Sequence, residues 1–384
     1  MSIDIRELDA RAAATDPRVD RWLASLALDG VDALVENAHV DFRLLDVGGE
    51  IVPIAIATSG PVRTYVCSPL SQYARYPARE ARRLKPLWLR WLATPAFVAA
   101  GLVLRLLAID RVVYVDNWLL ATNPVRSLGA ERCRALVAWL VARYPRHAIV
   151  HRSVNPALDD AHARALGAAG FRPVRARVVY VVDPASTRFA HNANAWRDRR
   201  LLGRPGWAFG VTRDPDDAVT LATQYRALYI DRYTRLNPAY TTLAFSRMLE
   251  SATFATSVIR EGSRVLAHVT TFTRNGVLTG GTVGYDTGRP PEDGLYRAIV
   301  ALILQHGRHR GARINLSGGV GGFKLARAAV PMSEFDAVYD HHLPGWRRLG
   351  WRIVAALGRL WRVPSAPSGP PPALRRARPP PPRS

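Results

Sequence analysis

Apolar and polar residues alternate along the first half of the chain in a pattern that predicts strands and helices in a fixed order. Alternating or continuously apolar stretches, typical of strands, occur at 39–58, 111–123, 147–155 and 171–183. Val47-Gly48-Gly49 breaks the first stretch and indicates a hairpin. Helical spacing of apolar residues follows at 126–144 and 156–170. The predicted order is hairpin, strand, helix, strand, helix, strand.

The second half of the chain repeats this order. Three strands are predicted over 255–286, with turns at Glu261-Gly262 and Asn275-Gly276. The later elements are a helix, a strand, a short helix and a closing strand, at 294–311, 312–319, 323–329 and 333–341. A repeat of this length indicates two copies of one α/β (α+β) domain rather than a solenoid.

The flanking segments complete the predicted organisation. Residues 1–35 are predicted to be helical, 62–70 to continue the first sheet, and 217–233 to form the helix that begins the second copy. We expect four regions: an N-terminal domain, a C-terminal domain, a basic amphipathic helix and a disordered Pro/Arg tail, at 1–185, 186–345, 346–363 and 364–384.

The most hydrophobic segment is 86–109, which Arg90, Pro95 and Arg105 interrupt. Its uncharged part, Trp91 to Leu104, has 14 residues, whereas a membrane span needs about 20. The segment therefore predicts a buried or interfacial helix pair. If the basic, tryptophan-rich helix at 345–362 shares a surface with it, we expect peripheral membrane contact.

Charge and cysteine content narrow the class of protein. The 384 residues carry 53 Lys and Arg against 31 Asp and Glu, a formal net charge of +22. Such a charge favours anionic partners, although a general arginine bias in composition explains part of it. Two cysteines give neither a disulfide framework nor zinc spacing, and the charged N-terminus has no signal-peptide pattern. We therefore expect a cytoplasmic protein, with membrane association as the alternative.

A lysine stands out beside a glycine-rich stretch. The chain has only two lysines, and Lys324 follows Gly318, Gly319, Gly321 and Gly322. We expect it at the edge of the sheet where open α/β folds bind ligands, with its ammonium on a phosphate or a developing oxyanion. The alternative is a solvated surface lysine.

Polar residues near this lysine are the other catalytic candidates. Asn315 and Ser317 alternate with apolar neighbours, so both face one side of the predicted strand, either lining a cleft or satisfying a buried strand end. Tyr285 and Asp286 end the preceding strand, where Asp286 serves as a general base or as a turn carboxylate.

Two further tyrosines and the histidines are candidates for other roles. Tyr296 or Tyr339 could supply a proton to the leaving group, or could simply pack in the core. The histidines lack an accompanying carboxylate or cysteine motif, so no metal is expected.

The repeated order resembles the GNAT acyltransferase fold and, in tandem, the Fem-type aminoacyl transferases. The residues that carry the resemblance span 35–345: VCSPLSQY (66–73), DNWLLATNP (116–124), IVHRSVN (149–155), GYDT (284–287), GLYRAIVALIL (294–304), INLSGGVGGFK (314–324) and HHLP (341–344). The resemblance implies two GNAT-like domains, each a mixed, mostly antiparallel sheet flanked by helices.

The resemblance also implies where an acyl-CoA would lie. In GNAT enzymes acyl-CoA lies between two parallel strands that splay apart, and its pyrophosphate meets the N-terminus of the next helix. In the first copy this helix entry contains Arg126 and Gly129, half of the R-x-x-G-x-G/A signature, with Glu131 at the last small position. In the second copy it contains Gly288, Arg289 and Gly294 without that signature.

These observations lead to three functional hypotheses. The first is an N-acyltransferase that moves an acyl group from acetyl-CoA or another acyl-CoA, its co-substrate, to a small-molecule or cell-envelope amine. The second is Fem-type aminoacyl transfer from aminoacyl-tRNA. The third is a non-catalytic binding protein on a degenerate acyltransferase fold. The sequence has no helix-turn-helix, zinc-finger or aromatic RNA-binding signature, so tRNA is the one nucleic acid that the resemblance brings in.

Overall fold

The computed structural model describes residues 3–58, 60–83 and 87–360. The strands are β1 Ile5–Leu8, β2 Asp41–Val47, β3 Glu50–Ala57, β4 Val112–Val115, β5 Ala148–Val154, β6 Arg172–Val182, β7 Trp207–Thr212, β8 Phe254–Glu261, β9 Arg264–Arg274, β10 Val277–Tyr285, β11 Arg313–Asn315 and β12 Val330–Tyr339.

The helices lie between and after these strands. They are α1 Ala10–Thr15, α2 Arg21–Leu28, α3 Val31–Leu34, α4 Tyr76–Ala81, α5 Leu87–Leu106, α6 Gly129–Arg143, α7 Asp160–Ala168, α8 Thr187–Ala190, α9 Ala193–Arg199, α10 Asp217–Tyr225, α11 Thr242–Glu250, α12 Leu295–His309, α13 Gly321–Leu325 and α14 Gly345–Leu360. Ser71–Arg75 and Arg226–Asp231 are π-helical turns joined to α4 and α10.

All twelve strands form one continuous sheet in the order β1-β2-β3-β4-β5-β12-β6-β11-β10-β9-β8-β7. Counted inward from either edge, five strands of one half are followed by the last strand of the other half. The two halves have therefore exchanged their final strands, β6 and β12, which pair with each other at the centre over residues 172–181 and 330–338. This arrangement relates the halves by a pseudo-two-fold axis through the middle of the sheet.

Each half of the sheet is mixed and mostly antiparallel, as the sequence predicts. The only parallel neighbours among the described strands are β4 with β5 and β10 with β11. β11 pairs with β10 over only three residues, Val277 to Thr279, and a bulge between Gly280 and Val283 then interrupts the pairing of β10 with β9. The parallel strands of the second half therefore part soon after they begin to pair.

The largest hydrophobic cluster joins the two halves. It contains buried side chains of α2, α3, α10 and α11 together with strands from both ends of the sheet. Trp22 is fully buried and donates its indole N–H to the carbonyl of Trp118 at 3.0 Å. Its ring also meets Tyr240 and Phe254 of the second half edge-on, at 6.2 and 6.3 Å. Smaller clusters lie under α6 and α12.

Several local predictions are confirmed and several are wrong. The hairpin at Val47-Gly48-Gly49 and the turns at Glu261-Gly262 and Asn275-Gly276 are present, as are the helices predicted at 126–144, 156–170 and 294–311. Residues 62–70 are not a strand; they lie in a loop whose backbone bonds Asn37 and Leu236 instead. The region 1–35 begins with strand β1, which pairs with β2. Within the segment predicted as a helix pair, Leu87–Leu106 form one helix, because α5 continues through Pro95.

The predicted domain limits can be compared with the observed strands and helices. The limit between 185 and 186 lies in the loop after β6, and the strand pairing described above crosses it. The predicted helix at 346–363 corresponds to α14. The tail prediction for 364–384 lies outside the described residues.

Candidate active site

Lys324 lies on α13 and is 4% exposed. Its ammonium donates to the carbonyl oxygens of Leu316, Ser317 and Gly318 at 2.6, 3.2 and 2.6 Å. Because these bonds occupy all three ammonium protons, the expectation of a direct contact with an anion is not met. Burial and the charge of Arg177 lower the pKa of Lys324 to about 7. The lysine fixes the loop that leaves β11.

The glycines before Lys324 have a steric reason. Gly319 has φ +75°, and a Cβ at Gly321 would overlap the hydroxyl of Tyr180. Ser317 and Val320 adopt φ values of 58° and 41°, which cost side-chain-bearing residues energy. The chain here is a strained turn that brings α13 against β6.

Asn315 and Ser317 gather with Lys324. The buried Asn315 accepts the backbone N–H of Ser317 through Oδ1 at 2.8 Å. The hydroxyl of Ser317 lies 3.4 Å from that of Thr122, which belongs to the first half. These three predicted site residues therefore lie together at the junction of the two halves.

Asp286 and Tyr285 lie elsewhere. Thr279 is level with Asn315 in the sheet, and Tyr285 is six residues further along β10, about 20 Å of strand. Asp286 accepts from Arg264 at 2.6 Å and from the N–H of Gly288 at 2.9 Å. Its carboxylate is committed to these partners, which agrees with the turn interpretation rather than with a free general base.

Tyr285 reaches α13 only through a row of aromatic rings. Its ring lies 6.3 Å from that of Tyr296, which lies 5.0 Å from Phe323. Burial raises the pKa of Tyr296 to about 12. Tyr339 packs against Phe171 and the histidines that follow β12.

Charged side chains of the chain itself lie beside the predicted phosphate position of the second half. Gly294, with φ +69°, precedes α12, and the buried Asp293 lies just before it. Asp293 accepts from Arg289 at 2.7 Å and from Arg204 at 2.9 Å. Arg289 also bonds Glu261 at 3.1 Å. A carboxylate with two arginine partners thus lies just before the helix N-terminus that an anion would favour, without bonding its N–H groups.

The corresponding position of the first half is more open. Gly129 begins α6 with φ +75°, and nothing lies within 4 Å of where its Cβ would be. Arg126 forms an ion pair with Glu50 at 3.5 Å, and its backbone N–H donates to Asp116 at 2.9 Å. Glu131 lies in the first turn of α6.

A buried cluster of charges on the exchanged strands is the main feature that the sequence analysis missed. On β6, Arg177 donates through Nε to Glu334 of β12 at 2.7 Å and through Nη2 to Thr122 at 2.6 Å. Burial alone would lower the pKa of Arg177, but the Glu334 carboxylate outweighs it and raises that pKa. The Arg177 side chain is 22% exposed and that of Glu334 is 3% exposed. The guanidinium is therefore the accessible member of the pair.

A second carboxylate lies two residues further along β12. Asp336 accepts from Gln72 at 2.8 Å and from the hydroxyl of Tyr73 at 2.7 Å, both on the π-helical turn. Burial raises the pKa of Asp336, and burial together with the Asp336 charge raises the pKa of Tyr73. π-Helical turns occur frequently at functional sites.

Several polar atoms around this cluster have no hydrogen-bond partner among the described residues. They are Glu334 Oε2, Arg152 Nε, Gln72 Oε1 and the hydroxyl oxygen of Tyr114. Buried polar groups are normally paired, and an unpaired one costs about 1–3 kcal/mol. Ionisable groups held at such a cost are more frequent at functional sites than elsewhere. The cluster is therefore the best candidate for the reacting centre.

Tyrosines from both halves surround the cluster. The ring of Tyr65 lies 5.8 Å from the Arg152 guanidinium and 5.4 Å from the ring of Tyr76. From the second half, Tyr229 stacks on Tyr225 at 4.8 Å. Burial raises the pKa of Tyr229, and the nearby hydroxyls of Tyr296 and Tyr65 add to that effect. The site thus draws residues from both halves.

Charged residues within otherwise apolar strands were the sequence signal for this site. Arg177 lies in a strand that ends in VVYVV, and Glu334 and Asp336 lie in the strand EFDAVY. The signal could mark the residues but not their pairing, because β6 and β12 are more than 140 residues apart. Among the described residues, no three His, Cys, Asp or Glu side chains come together as a metal site.

Comparison with known proteins finds this architecture among solved structures. No protein-family profile matches the chain, and no curated protein matches it. Among solved structures, FemX aligns with a TM-score of 0.51 at 10% identity, over 90% of this chain and 100% of FemX.

Two other solved structures align less closely. A tandem GNAT protein from the clavulanic acid biosynthesis pathway aligns with a TM-score of 0.36 at 12% identity, over 88% of this chain and 98% of its own. The C-terminal domain of a putative lysylphosphatidylglycerol synthetase from Agrobacterium fabrum has a TM-score of 0.41 at 15% identity, over 58% and 77%. The strand order and the whole-chain likeness to FemX show that this chain has a tandem GNAT-like fold.

Proposed function

We propose that the protein transfers an aminoacyl group from aminoacyl-tRNA to an amine acceptor at the cluster around Arg177. The observation that carries the choice of donor is Asp293. Its carboxylate, paired with Arg204 and Arg289, lies one residue before the N-cap of α12, the helix entry to which the GNAT resemblance assigns the pyrophosphate of acyl-CoA. The pyrophosphate of an acyl-CoA there would have to compete with Asp293 for Arg204 and Arg289. The formal charge of +22 supports a polyanionic donor.

In this proposal Arg177 contacts the reacting ester. Its Nε and Nη2 are held by Glu334 and Thr122, so the planar guanidinium has a fixed orientation. The remaining nitrogen, Nη1, donates to the oxygen on which negative charge develops. Lys324 and Asn315 act as positioning residues, since both brace the loop beside Thr122.

The transfer balances without an added reagent. The acceptor nitrogen attacks the ester carbonyl carbon and forms the amide bond. The ester C–O bond breaks, the ribose oxygen leaves, and the proton lost by the nitrogen ends on that oxygen.

Acetyl-CoA or another acyl-CoA is the second candidate donor. The open space in front of Gly129 at the start of α6 favours it, because a phosphate could approach that helix N-terminus.

A competition experiment distinguishes the two donors. Purified protein is mixed with labelled aminoacyl-tRNA, and unlabelled aminoacyl-tRNA, the same tRNA without its amino acid, or acetyl-CoA is added. The aminoacylated tRNA should compete better than the deacylated one, which has the same backbone charge, and acetyl-CoA should not compete. Equal competition by the two tRNAs together with saturable acetyl-CoA binding would overturn the choice of donor. In that case Gly129→Val should abolish acetyl-CoA binding.

A further inference from the structure

Helix α5 exposes an apolar surface that nothing in the described chain covers. It has 20 residues with a mean hydropathy of 1.6, long and apolar enough to cross a membrane by composition alone, and only 6% of it is buried. Its exposed large side chains are Leu87, Trp88, Trp91, Leu92, Val98, Leu102, Val103 and Leu106. Trp91 is 76% exposed, far from what a soluble core helix shows.

The packing of α5 favours lying on a membrane over crossing it. Leu104 is buried, and the Cβ position at Gly101 lies 3.3 Å from the Cβ of Ala74 in the first half of the chain. The second half of the helix is therefore fixed to the protein. The part before the residues that line the cavity described next, 87–96, is about 15 Å long, which is shorter than the roughly 30 Å hydrocarbon layer. Arg90 lies within it.

A cavity of about 770 Å³ opens beside the fixed end of α5. Phe97, Val98 and Leu102 of α5 form part of its apolar wall. Five arginines also line it: Arg75, Arg79, Arg82, Arg105 and Arg235. None of the five forms an ion pair within the described part of the chain, and Asp231 is the one acidic residue of the lining. Burial lowers the pKa of Arg75, the charge of Asp110 opposes this, and the charges of Arg105 and Arg63 lower it further.

Helix α14 extends the apolar surface at the end of α5. The Cβ position at Gly350 lies 3.4 Å from Leu107, just after α5. Trp346, one turn earlier on the same face of α14, is 54% exposed. Helix α14 therefore packs on the turn that ends α5, so the two membrane candidates of the sequence are neighbours.

We infer that this surface docks the protein on an anionic lipid bilayer, with α5 in the interface and lipid phosphates in the arginine-lined cavity. The exposed apolar side chains of α5 would contact the acyl chains at the boundary with the headgroups, and the arginines without ion pairs would bind the lipid phosphates above them. Tryptophans at the free end of α5 match the preference of that ring for the headgroup level. This inference is independent of the proposed donor, since it concerns binding in the absence of any tRNA.

Vesicle sedimentation tests the inference with the full-length protein. Vesicles of phosphatidylcholine alone are compared with vesicles of equal parts phosphatidylcholine and phosphatidylglycerol. We expect binding to the mixed vesicles that weakens as salt is added. Arg79→Gln with Arg105→Gln should weaken it about thirtyfold, from about 1 kcal/mol for each basic residue near the surface. Trp88→Ser with Trp91→Ser should weaken binding at high salt as well, because the apolar contribution is not screened.

Matched variants away from the surface provide the control. Arg188 and Arg310 are exposed arginines of the second half, and Val211 and Val219 are exposed apolar residues of the same half. Changing the arginines to Gln, or the valines to Ser, should leave vesicle binding within twofold of wild type. Circular dichroism of every variant confirms that the fold is retained.

Three results would count against a docking surface. Equal loss of binding in the control and α5 variants would mean that net charge alone drives binding and would overturn the inference. Equal binding to neutral and mixed vesicles would overturn the role of the arginines. Competition by glycerol phosphate as strong as by vesicles would assign the cavity to a soluble phosphate and would also overturn docking.

Discussion

The ion pair between Arg177 and Glu334 provides the sharpest test of the buried centre. The two side chains meet at 2.7 Å, and the glutamate side chain is 3% exposed. Replacing Arg177 by Met leaves the Glu334 charge without its partner in a region that water hardly reaches. Breaking a buried pair from one side costs about 3–5 kcal/mol, whereas replacing both members by apolar residues is often nearly neutral. We therefore expect Arg177→Met to lower the free energy of unfolding by about 3–5 kcal/mol.

A double-mutant cycle measures this coupling. Unfolding in urea is followed by circular dichroism for wild type, Arg177→Met, Glu334→Met and the double variant. The double variant should recover most of the stability lost by Arg177→Met, giving a coupling of about 2–3 kcal/mol. Arg164→Met breaks an exposed pair with Asp160 and serves as the control, with a far smaller expected change. Additive single effects, or a loss for Arg177→Met no larger than that of the control, would refute the assignment of a buried, coupled pair.

Three further changes test the surroundings of the site. The pKa of Lys324 is about 7 in the folded chain against 10.5 for the free side chain, so the unfolded chain binds more protons between these values. The free energy of unfolding should therefore rise with pH in this range, by up to about 1.4 kcal/mol per pH unit. Lys324→Met should remove this rise in urea melts. Gly321→Ala would press its Cβ on the hydroxyl and ring of Tyr180 and should cost about 1–3 kcal/mol. Tyr180→Phe, which removes the hydroxyl but keeps a ring carbon 2.6 Å from that Cβ, should relieve only part of this cost in thermal melts. Gly322→Ala, with open space around it, should not differ from wild type. Trp22→Ala should cost about 3–5 kcal/mol, since a fully buried ring and its hydrogen bond to a carbonyl are lost. If the melting midpoint fell by less than about 2 °C, the shared core would be contradicted.

Local features of the fold were predictable because local physics decides them. The hairpin turn after Val47 and the turn at Asn275-Gly276 place residues with positive φ where each strand reverses. The helix at 294–311 follows from a continuous apolar face of 3.6-residue period, and the structure has α12 there. The repeat itself was visible for the same reason, since each copy shows the same succession of local patterns.

The exchange of β6 and β12 could not be predicted from such patterns. Either strand, apolar with a few charges, fits beside β5 or beside β11 equally well by alternation alone. The choice depends on contacts between distant parts of the chain, such as the one that Arg177 makes with Glu334, 157 positions away. A pattern with period two shows which face is buried but carries no information about the neighbouring strand.

The candidate site was predicted only in part, for electrostatic reasons. The sequence placed Lys324, Asn315 and Ser317 together, and they are together, but it expected the ammonium to face a ligand rather than three carbonyls. It grouped Asp286 with them, whereas Arg264 holds that carboxylate at the far end of β10. Arginine is abundant throughout this chain, so sequence alone could not show which arginine meets which acid.

The central claim is that the junction of the two halves transfers an aminoacyl group. Its most direct test is a single-turnover reaction in which labelled aminoacyl-tRNA is mixed with the full-length protein and a cell-envelope fraction. Label that survives mild alkali, which cleaves the ester but not an amide, is then counted. We predict protein-dependent transfer of label into alkali-stable product, reduced at least about a hundredfold by Arg177→Ala and unchanged by Arg188→Ala. Label that stays on the tRNA at the background rate with wild type, or equal transfer by the Arg177→Ala variant, would contradict the claim.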